Sequence, residues 1–211
     1  RRILSGHYPQ GTQLPLEREL AVELGVGRPT LREGIQRLAR DGWVTVRKGL
    51  GTTVNDFWHT GSLNILPAII THSPEISESF IIHLLELRAA LAPAYVRDAV
   101  AHQPARVVAA LVDWETLEDE AEVFAWFDWK IQMELSELAP NPIYYLITKS
   151  FDSVYVDMAT DYFADPVHRQ ASKLFYEQLI RAAMESDPSK AEAVTRLAME
   201  HALRAWRAGE R

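Results

Sequence analysis

Arg28, Arg32 and Gln36 recur every four residues in the run GVGRPTLREGIQRLAR, from Gly25 to Arg40. Side chains four apart share one face of a helix. Two guanidiniums and a carboxamide on a single stripe are the groups that bond base edges and phosphates of duplex DNA. Lys48 and Gly49, between two segments of strand-forming residues, could reach a groove or a phosphate from the tip of a hairpin. Catalytic patterns are missing: there is no Gly-rich phosphate loop after a strand, no HExxH and no G-x-S-x-G. There is no cysteine, and the seven histidines (His7, His59, His72, His83, His102, His168, His201) are scattered. The residues point to a binding protein, not an enzyme, with no cofactor.

The elements that must hold the arginine stripe can be read around it. Leu31, Ile35 and Leu38 recur at helical spacing and are expected to face a core. Upstream, Glu17 to Leu24 (ERELAVEL) reads as a short helix with Leu20, Ala21 and Leu24 inside. Gly25 accepts the positive φ that ends a helix, so Gly25-Val26-Gly27 is the expected turn. Two amphipathic helices alone could be plain core. Asp41-Gly42 then makes a turn, Trp43-Val44-Thr45-Val46 is rich in strand formers, and Thr53-Val54 can return as a second strand after RKGLGTT. Helix, turn, helix, hairpin is a winged helix-turn-helix.

With 211 residues the chain is long enough for two domains. It begins at Arg1, inside what reads as the end of a helix (RRILSG), without an initiator Met, which predicts that the native chain starts upstream. The lack of cysteine suits a reducing cytoplasm, and no apolar run approaches membrane-spanning length, so no membrane partner is expected. The net charge of −7 is unevenly spread. Residues 1–60 carry nine Lys and Arg against six Asp and Glu, a net of +3, and the remainder thirteen against twenty-three, a net of −10. A basic head on an acidic body leaves the head to meet nucleic acid.

Asn55 to Leu66 (NDFWHTGSLNIL) reads as a linker that packs through Phe57, Trp58, Leu63 and Ile65. From Pro67 onward the spacing predicts helices separated by prolines. Glu75 to Ala101 places Ile76, Phe80, Leu84, Leu87 and Leu91 on one face, with Pro93 implying a kink or break. Pro104 opens a helix carrying Val107, Val108, Leu111, Trp114 and Leu117. An acidic turn precedes Val123, Phe124, Phe127, Ile131 and Leu135. Ile143 to Phe163 reads as one apolar helix, Ala164-Asp165-Pro166 starts the next, to about Glu185, and Asp187-Pro188 the last, to about Ala208. The expected class is mainly α: a winged helix-turn-helix over 1–55, a linker over 56–66, and an all-α bundle of six or seven helices over 67–211.

The run GTQLPLERELAVELGVGRPTLREGIQRLARDGWVTVRKGLGTTV, from Gly11 to Val54, resembles the DNA-binding domain of GntR-type bacterial repressors. The resemblance implies that Arg18, Arg28 and Arg32 contact operator DNA and that Lys48 enters the minor groove. With Thr30, Gln36 and Gly49 they form the expected DNA-contacting set. Gly27 and Pro29 stand where that family commonly has a hydroxyl, which removes phosphate contacts but leaves a cap and a first-turn proline. Lys48 replaces a histidine. Many regulators with this head carry a helical sensor that holds a metal through one Asp and three His. Asp128 matches the Asp, but Gln132 and Tyr176 replace two ligands and only His201 remains. Two ligands do not close a zinc site, so no metal is expected, with Asp128 and His201 as polar partners in or near a cavity.

Tyr155 and Tyr162 are seven apart, hence on one face, with Phe151 and Phe163 beside them and Phe175-Tyr176 on the next helix. Such a stripe fits plain core or an interior tunnel. NDFWHTGSLNIL, NPIYYLI and DYFADPVHRQASKLFYEQL look like the corresponding segments of the FadR-like regulators of fatty acid metabolism. That likeness implies a cytoplasmic homodimer that binds a palindromic double-stranded DNA operator, represses or activates, and releases DNA on binding long-chain acyl-CoA. It places Arg88, Asp128, Tyr155, Tyr162 and Tyr176 in or near the ligand cavity. Arg88, Lys149, Arg169 and Lys173 are candidate partners for the CoA phosphates. Trp206 falls one residue out of register with a family tryptophan, so no site is assigned in that helix. The alternative is a GntR-type sensor of a small carboxylate, with or without a metal; a third is a helical enzyme or scaffold with an incidental winged helix.

Overall fold

A computed structural model describes residues 1–73 and 78–209. The chain divides into two compact units, Arg1–Ile76 and Ser77–Arg211.

In the first unit α1 is Glu17–Leu24 and α2 is Arg28–Arg40. Gly25 ends α1 at φ 65°, and its N–H and that of Val26 return to carbonyls of α1, the bonding that a left-handed cap allows. Pro29 sits in the first turn of α2, where its missing N–H leaves nothing unpaired. Strands β1 (Val44–Arg47) and β2 (Gly51–Val54) pair antiparallel, Val44 opposite Val54 and Arg47 opposite Gly51. The segment before α1 braces this hairpin: the Leu14 N–H donates to the Thr52 carbonyl at 2.8 Å, and Gln13 Nε2 to the Leu50 carbonyl at 2.9 Å. Two short helices follow, α3 (Phe57–Thr60) and α4 (Leu66–His72).

Leu20, Ala21, Leu31, Ile35, Trp43, Val44, Val54, Phe57, Ile65 and Ile69 are buried in this unit. Leu38 is half-buried. Leu24, expected inside, is 43% exposed, because α1 ends at this residue and Gly25 turns the chain away. Within the expected linker only Phe57 and Ile65 are buried; Trp58 and Leu63 are exposed. Gly42 is obligatory: it takes φ 88°, and a Cβ there would collide with the carbonyl of Thr60.

The second unit holds seven helices among its described residues: α5 (Glu78–His102), α6 (Pro104–Leu111), α7 (Ala121–Leu138), α8 (Pro142–Lys149), α9 (Asp152–Phe163), α10 (Pro166–Met184) and α11 (Pro188–Ala208). Prolines set most of the starts. Asn141, Asp165 and Asp187 cap α8, α10 and α11 through their side chains, each followed by proline. Helix α5 runs through Pro93 without a break. Glu75 and Ile76, expected in α5, lie outside the described residues.

Three expectations for this unit change. Ile143 to Phe163 is two helices, not one. The Ser150 hydroxyl donates to the Ile147 carbonyl at 2.6 Å, and the Ser150 and Phe151 N–H groups bond three residues back, to Ile147 and Thr148. The last turn tightens around a side chain that competes for the backbone acceptor, and α8 ends. The helix from Pro104 stops at Leu111 and continues to Thr116 only as a 3-10 turn. The buried face of α5 is Ala92, Tyr95, Val96, Ala99 and Val100; Leu84 and Leu91 are half-buried, and Leu87 is 39% exposed.

Helices α5 and α11 run antiparallel, tied at one end by Arg207 to Glu86 (2.5 Å) and at the other by Arg97 to Glu192 (3.5 Å). The core between the helices includes Phe124, Ile131, Leu135, Phe163, Tyr176 and Leu179. No helix among the described residues is long and apolar enough to cross a membrane.

Candidate functional site

The first candidate surface is the outward face of α1, α2 and the hairpin tip. Arg18, Arg28, Thr30, Arg32, Gln36, Lys48 and Gly49 are all exposed. Two of the guanidiniums differ in setting. Arg32 Nε donates to Glu17 Oε2 at 2.7 Å, so α1 holds this arginine through one of its three nitrogens. Arg28, at the first position of α2, has no ion pair among the described residues. Lys48 and Gly49 form the turn of the hairpin, closed by the Leu50 N–H on the Arg47 carbonyl at 3.0 Å, with Gly49 at φ 79°.

The second candidate site is a cavity of about 120 Å³ inside the helical unit. Its longest wall is the inner stripe of α9 together with the residue before it: Phe151, Val154, Tyr155, Met158, Ala159, Tyr162 and Phe163. These steps of three and one are a single helix face, about 18 Å long at 1.5 Å per residue. Leu84, Leu85, Arg88, Leu91 and Tyr95 of α5 oppose it, and α11 contributes Ala198, Met199, Ala202 and Trp206.

One buried polar cluster interrupts this apolar lining. Arg88 Nη2 donates to Asp128 Oδ2 at 2.8 Å. The Tyr155 hydroxyl donates to the same oxygen. Tyr176 donates to Oδ1 at 3.3 Å and Gln132 Nε2 to Oδ1 at 3.5 Å. Tyr95 closes the network by donating to Gln132 Oε1 at 2.5 Å. The Arg88 guanidinium also lies over the Tyr155 ring, 5.2 Å from its centroid. Burial works against the charged form of Arg88, but Tyr155 and Asp128 outweigh it and its pKa is raised. Burial pushes Tyr95, Tyr155 and Tyr176 up as well, and Tyr162 up to about 12. Near neutral pH the guanidinium therefore stays charged and the phenols stay neutral and donate.

An alkaline titration checks this. A phenol whose pKa is raised by folding stabilises the fold fully below its unfolded value. That contribution is lost as pH rises through the folded value, about 12 for Tyr162. Followed by tyrosinate absorbance, Tyr95, Tyr155, Tyr162 and Tyr176 should stay un-ionised at pH values where free tyrosine titrates, about 10, and ionise only as the helical unit unfolds. Their ionisation in the intact fold would show the cavity wet and the cluster misassembled.

All five expected ligand residues meet at this place: Arg88, Asp128, Tyr155 and Tyr162 line the cavity, and Tyr176 stands behind Asp128. His201 does not join them. Asp128 takes its donors from Arg88, Tyr155, Tyr176 and Gln132, while the His201 ring meets His168 edge-on at 6.1 Å and His168 stacks on Tyr162 at 4.1 Å. Among the described residues no group of three or more His, Cys, Asp and Glu side chains is placed to hold a metal ion. Of the expected phosphate partners, Arg169 is committed elsewhere. It is buried, paired with Asp119 at 3.1 Å and bonded to the carbonyls of Phe163 and Ala164. Lys173 shares Asp119 at 3.4 Å, and Lys149 lies 5.7 Å from the Tyr145 ring centroid. Two residues at the site were not assigned from the sequence. Tyr95 is seven residues from Arg88, hence on its face, in a stretch that otherwise reads as core. Trp206 is 3% exposed and lines the cavity from α11.

Comparison with known proteins covers both regions. Residues 1–54 match the model of bacterial regulatory proteins of the gntR family, and residues 55–210 the model of the FadR C-terminal domain. The chain is 40% identical to the fatty acid metabolism regulator protein of Pasteurella multocida over 85% of its own length and 74% of that protein's. It is 38% identical to the one from Shewanella halifaxensis over 93% and 82%. Among solved structures, Lar, which controls expression of the Listeria monocytogenes agr system, superposes with a TM-score of 0.66 at 18% identity, covering 98% of this chain and 92% of that one.

Proposed function

The chain belongs to the fatty acid metabolism regulators of the GntR family, and on that premise we propose that it acts in the cytoplasm as a homodimer on a palindromic operator and lets go when long-chain acyl-CoA fills the helical unit. It is a transcriptional regulator and not an enzyme. In this reading residues 1–55 are the DNA-binding head, 56–66 the linker and 67–211 the sensor. Arg18, Arg28, Thr30, Arg32, Gln36, Lys48 and Gly49 face DNA. Dimerisation multiplies the contacts one head can make and matches the two halves of a palindrome.

The observation that carries the effector is the apolar stripe of α9 facing α5 and α11 across a cavity with one polar cluster. Each buried methylene is worth about 0.8 kcal/mol, so a dozen supply roughly 10 kcal/mol. Driving a two-state equilibrium from about 1:99 to 99:1 takes only roughly 5.5 kcal/mol of differential affinity. The walls include Met158 and Met199, whose unbranched side chains yield readily, so a chain can widen the space as it enters.

The test is operator release at fixed salt on adding oleoyl-CoA, with mass spectrometry of whatever co-purifies. Release at near-stoichiometric oleoyl-CoA is the expected result. Release by citrate-like acids and not by oleoyl-CoA would move the sensor to small carboxylates.

A further inference from the structure

We infer that Gln13 is a positioning residue for Lys48: its carboxamide fixes the hairpin tip, so that the lysine is presented to DNA in one place. This rests on the DNA-binding reading above and deepens it. The segment before α1 pairs along β2. The Gly11 N–H donates to the Val54 carbonyl at 2.8 Å and the Leu14 N–H to the Thr52 carbonyl at 2.8 Å, with Gln13 opposite Thr53. Among the described residues this backbone pairing ends at Thr52, short of the tip. The Gln13 side chain carries the support further. Its Nε2 donates to the Leu50 carbonyl at 2.9 Å. The carboxamide lies against Gly51, where an added Cβ would meet its Oε1 at 3.6 Å.

The tip needs that support. Gly49 and Gly51 take φ 79° and 90° on either side of Leu50, and glycine holds a turn only loosely because so many other conformations are open to it. A Cβ added at Gly49 would meet no atom within 4 Å, so the tip is open on that side. Lys48, Gly49, Leu50 and Gly51 are all exposed. Water can replace an exposed hydrogen bond, so Gln13 adds little to the stability of the fold. Its effect falls on binding, since a tip ordered beforehand has less freedom to lose on meeting DNA. Helix α2 and the hairpin belong to one compact unit, so fixing the tip also fixes the distance between Lys48 and the arginine stripe.

The test is a double-mutant cycle on the full chain. Gln13→Met keeps the side chain's length and removes its donor; it is combined with Lys48→Ala. Each variant is titrated, at several salt concentrations, with a duplex that the unsubstituted chain selects from a random-sequence pool. Gln13→Met should weaken binding by roughly two- to tenfold, the range of a neutral hydrogen bond. It should also flatten the salt dependence toward the loss of about 0.9 in log–log slope that one phosphate contact carries, although it removes no charge. In the Lys48→Ala background it should change neither, because the two residues act as one unit. The unfolding midpoint should stay where it is. A Gln13→Met chain that binds like the unsubstituted one overturns the inference, as does Lys48→Ala without effect. A loss of the same size in both backgrounds overturns it too, since Gln13 would then act without Lys48. So does a lowered midpoint with an unchanged salt slope, the mark of a purely structural role. In all these outcomes the unsubstituted chain still binds its selected duplex, and the DNA-binding reading stands. If selection enriches no duplex, both fall together.

Discussion

Asp128→Ala should cost the helical unit about 3–5 kcal/mol, the penalty for stranding one member of a buried ion pair. The carboxylate is 6% exposed and is the acceptor on which Arg88, Tyr155, Tyr176 and Gln132 converge. Removing it leaves a cation, two phenols and an amide facing an apolar cavity. For a domain of this size each kcal/mol moves the midpoint by about 2–4 °C, so a fall on the order of 10 °C is expected in thermal unfolding. The control is the pair Arg88→Met with Asp128→Leu. A buried ion pair replaced by apolar groups of similar volume is often neutral or stabilising, so the double variant should regain most of the loss. An Asp128→Ala protein as stable as its parent would mean that solvent reaches the cluster and that the cavity is open water.

That cost explains the arrangement. A cluster of this kind is not an economical way to hold helices together, since Leu and Met would pack as well. Its use is specification, because it fixes one polar level along a stripe that is otherwise uniform. Gln132 and Tyr176 both serve Asp128 from the protein side, with Arg88 as the positive partner.

The legible parts of the fold are those where the chain punctuates itself. Asn141-Pro142, Asp165-Pro166 and Asp187-Pro188 each combine a capping side chain with a residue that only a first turn accepts, and each opens a helix. Gly25 and the Thr-rich return strand did the same for the head. The break at Ser150 escaped because apolar spacing continues across it, and a serine hydroxyl turning back on Ile147 leaves no trace in periodicity. The cavity escaped for a related reason. Tyr155, Tyr162, Phe151 and Phe163 carry the same spacing whether the facing helix fills the gap or leaves it open; Ala198 and Ala202 on α11 leave it open. Tyr95 hid among alanines and valines, and Trp206 behind a one-residue slip. The arginine stripe was legible because charges at helical spacing have no place in a core.

Arg28→Ala should weaken operator binding by about 1–3 kcal/mol, roughly five- to 150-fold, if its fork reads a base edge. Arg28 is the sharper probe than Arg32. Arg32 is held by Glu17, so its removal also frees a carboxylate on a surface proposed to face phosphates, and the two effects mix. Arg28 stands exposed at the start of α2, where the N-terminal turn of a recognition helix meets base edges. Its loss should leave the unfolding midpoint unchanged, since surface substitutions seldom exceed about 0.5 kcal/mol. Lys48→Ala separates reading from simple attraction. If Lys48 meets phosphate, its removal should weaken all sequences alike and flatten the salt dependence by about 0.9 in the log–log slope. Arg28→Ala should instead relax the preference at particular base pairs. Titrations at several salt concentrations, with the operator and a scrambled duplex, measure both. Unchanged operator affinity in Arg28→Ala would remove Arg28 from the DNA-reading set and with it the clearest base contact that the stripe offers.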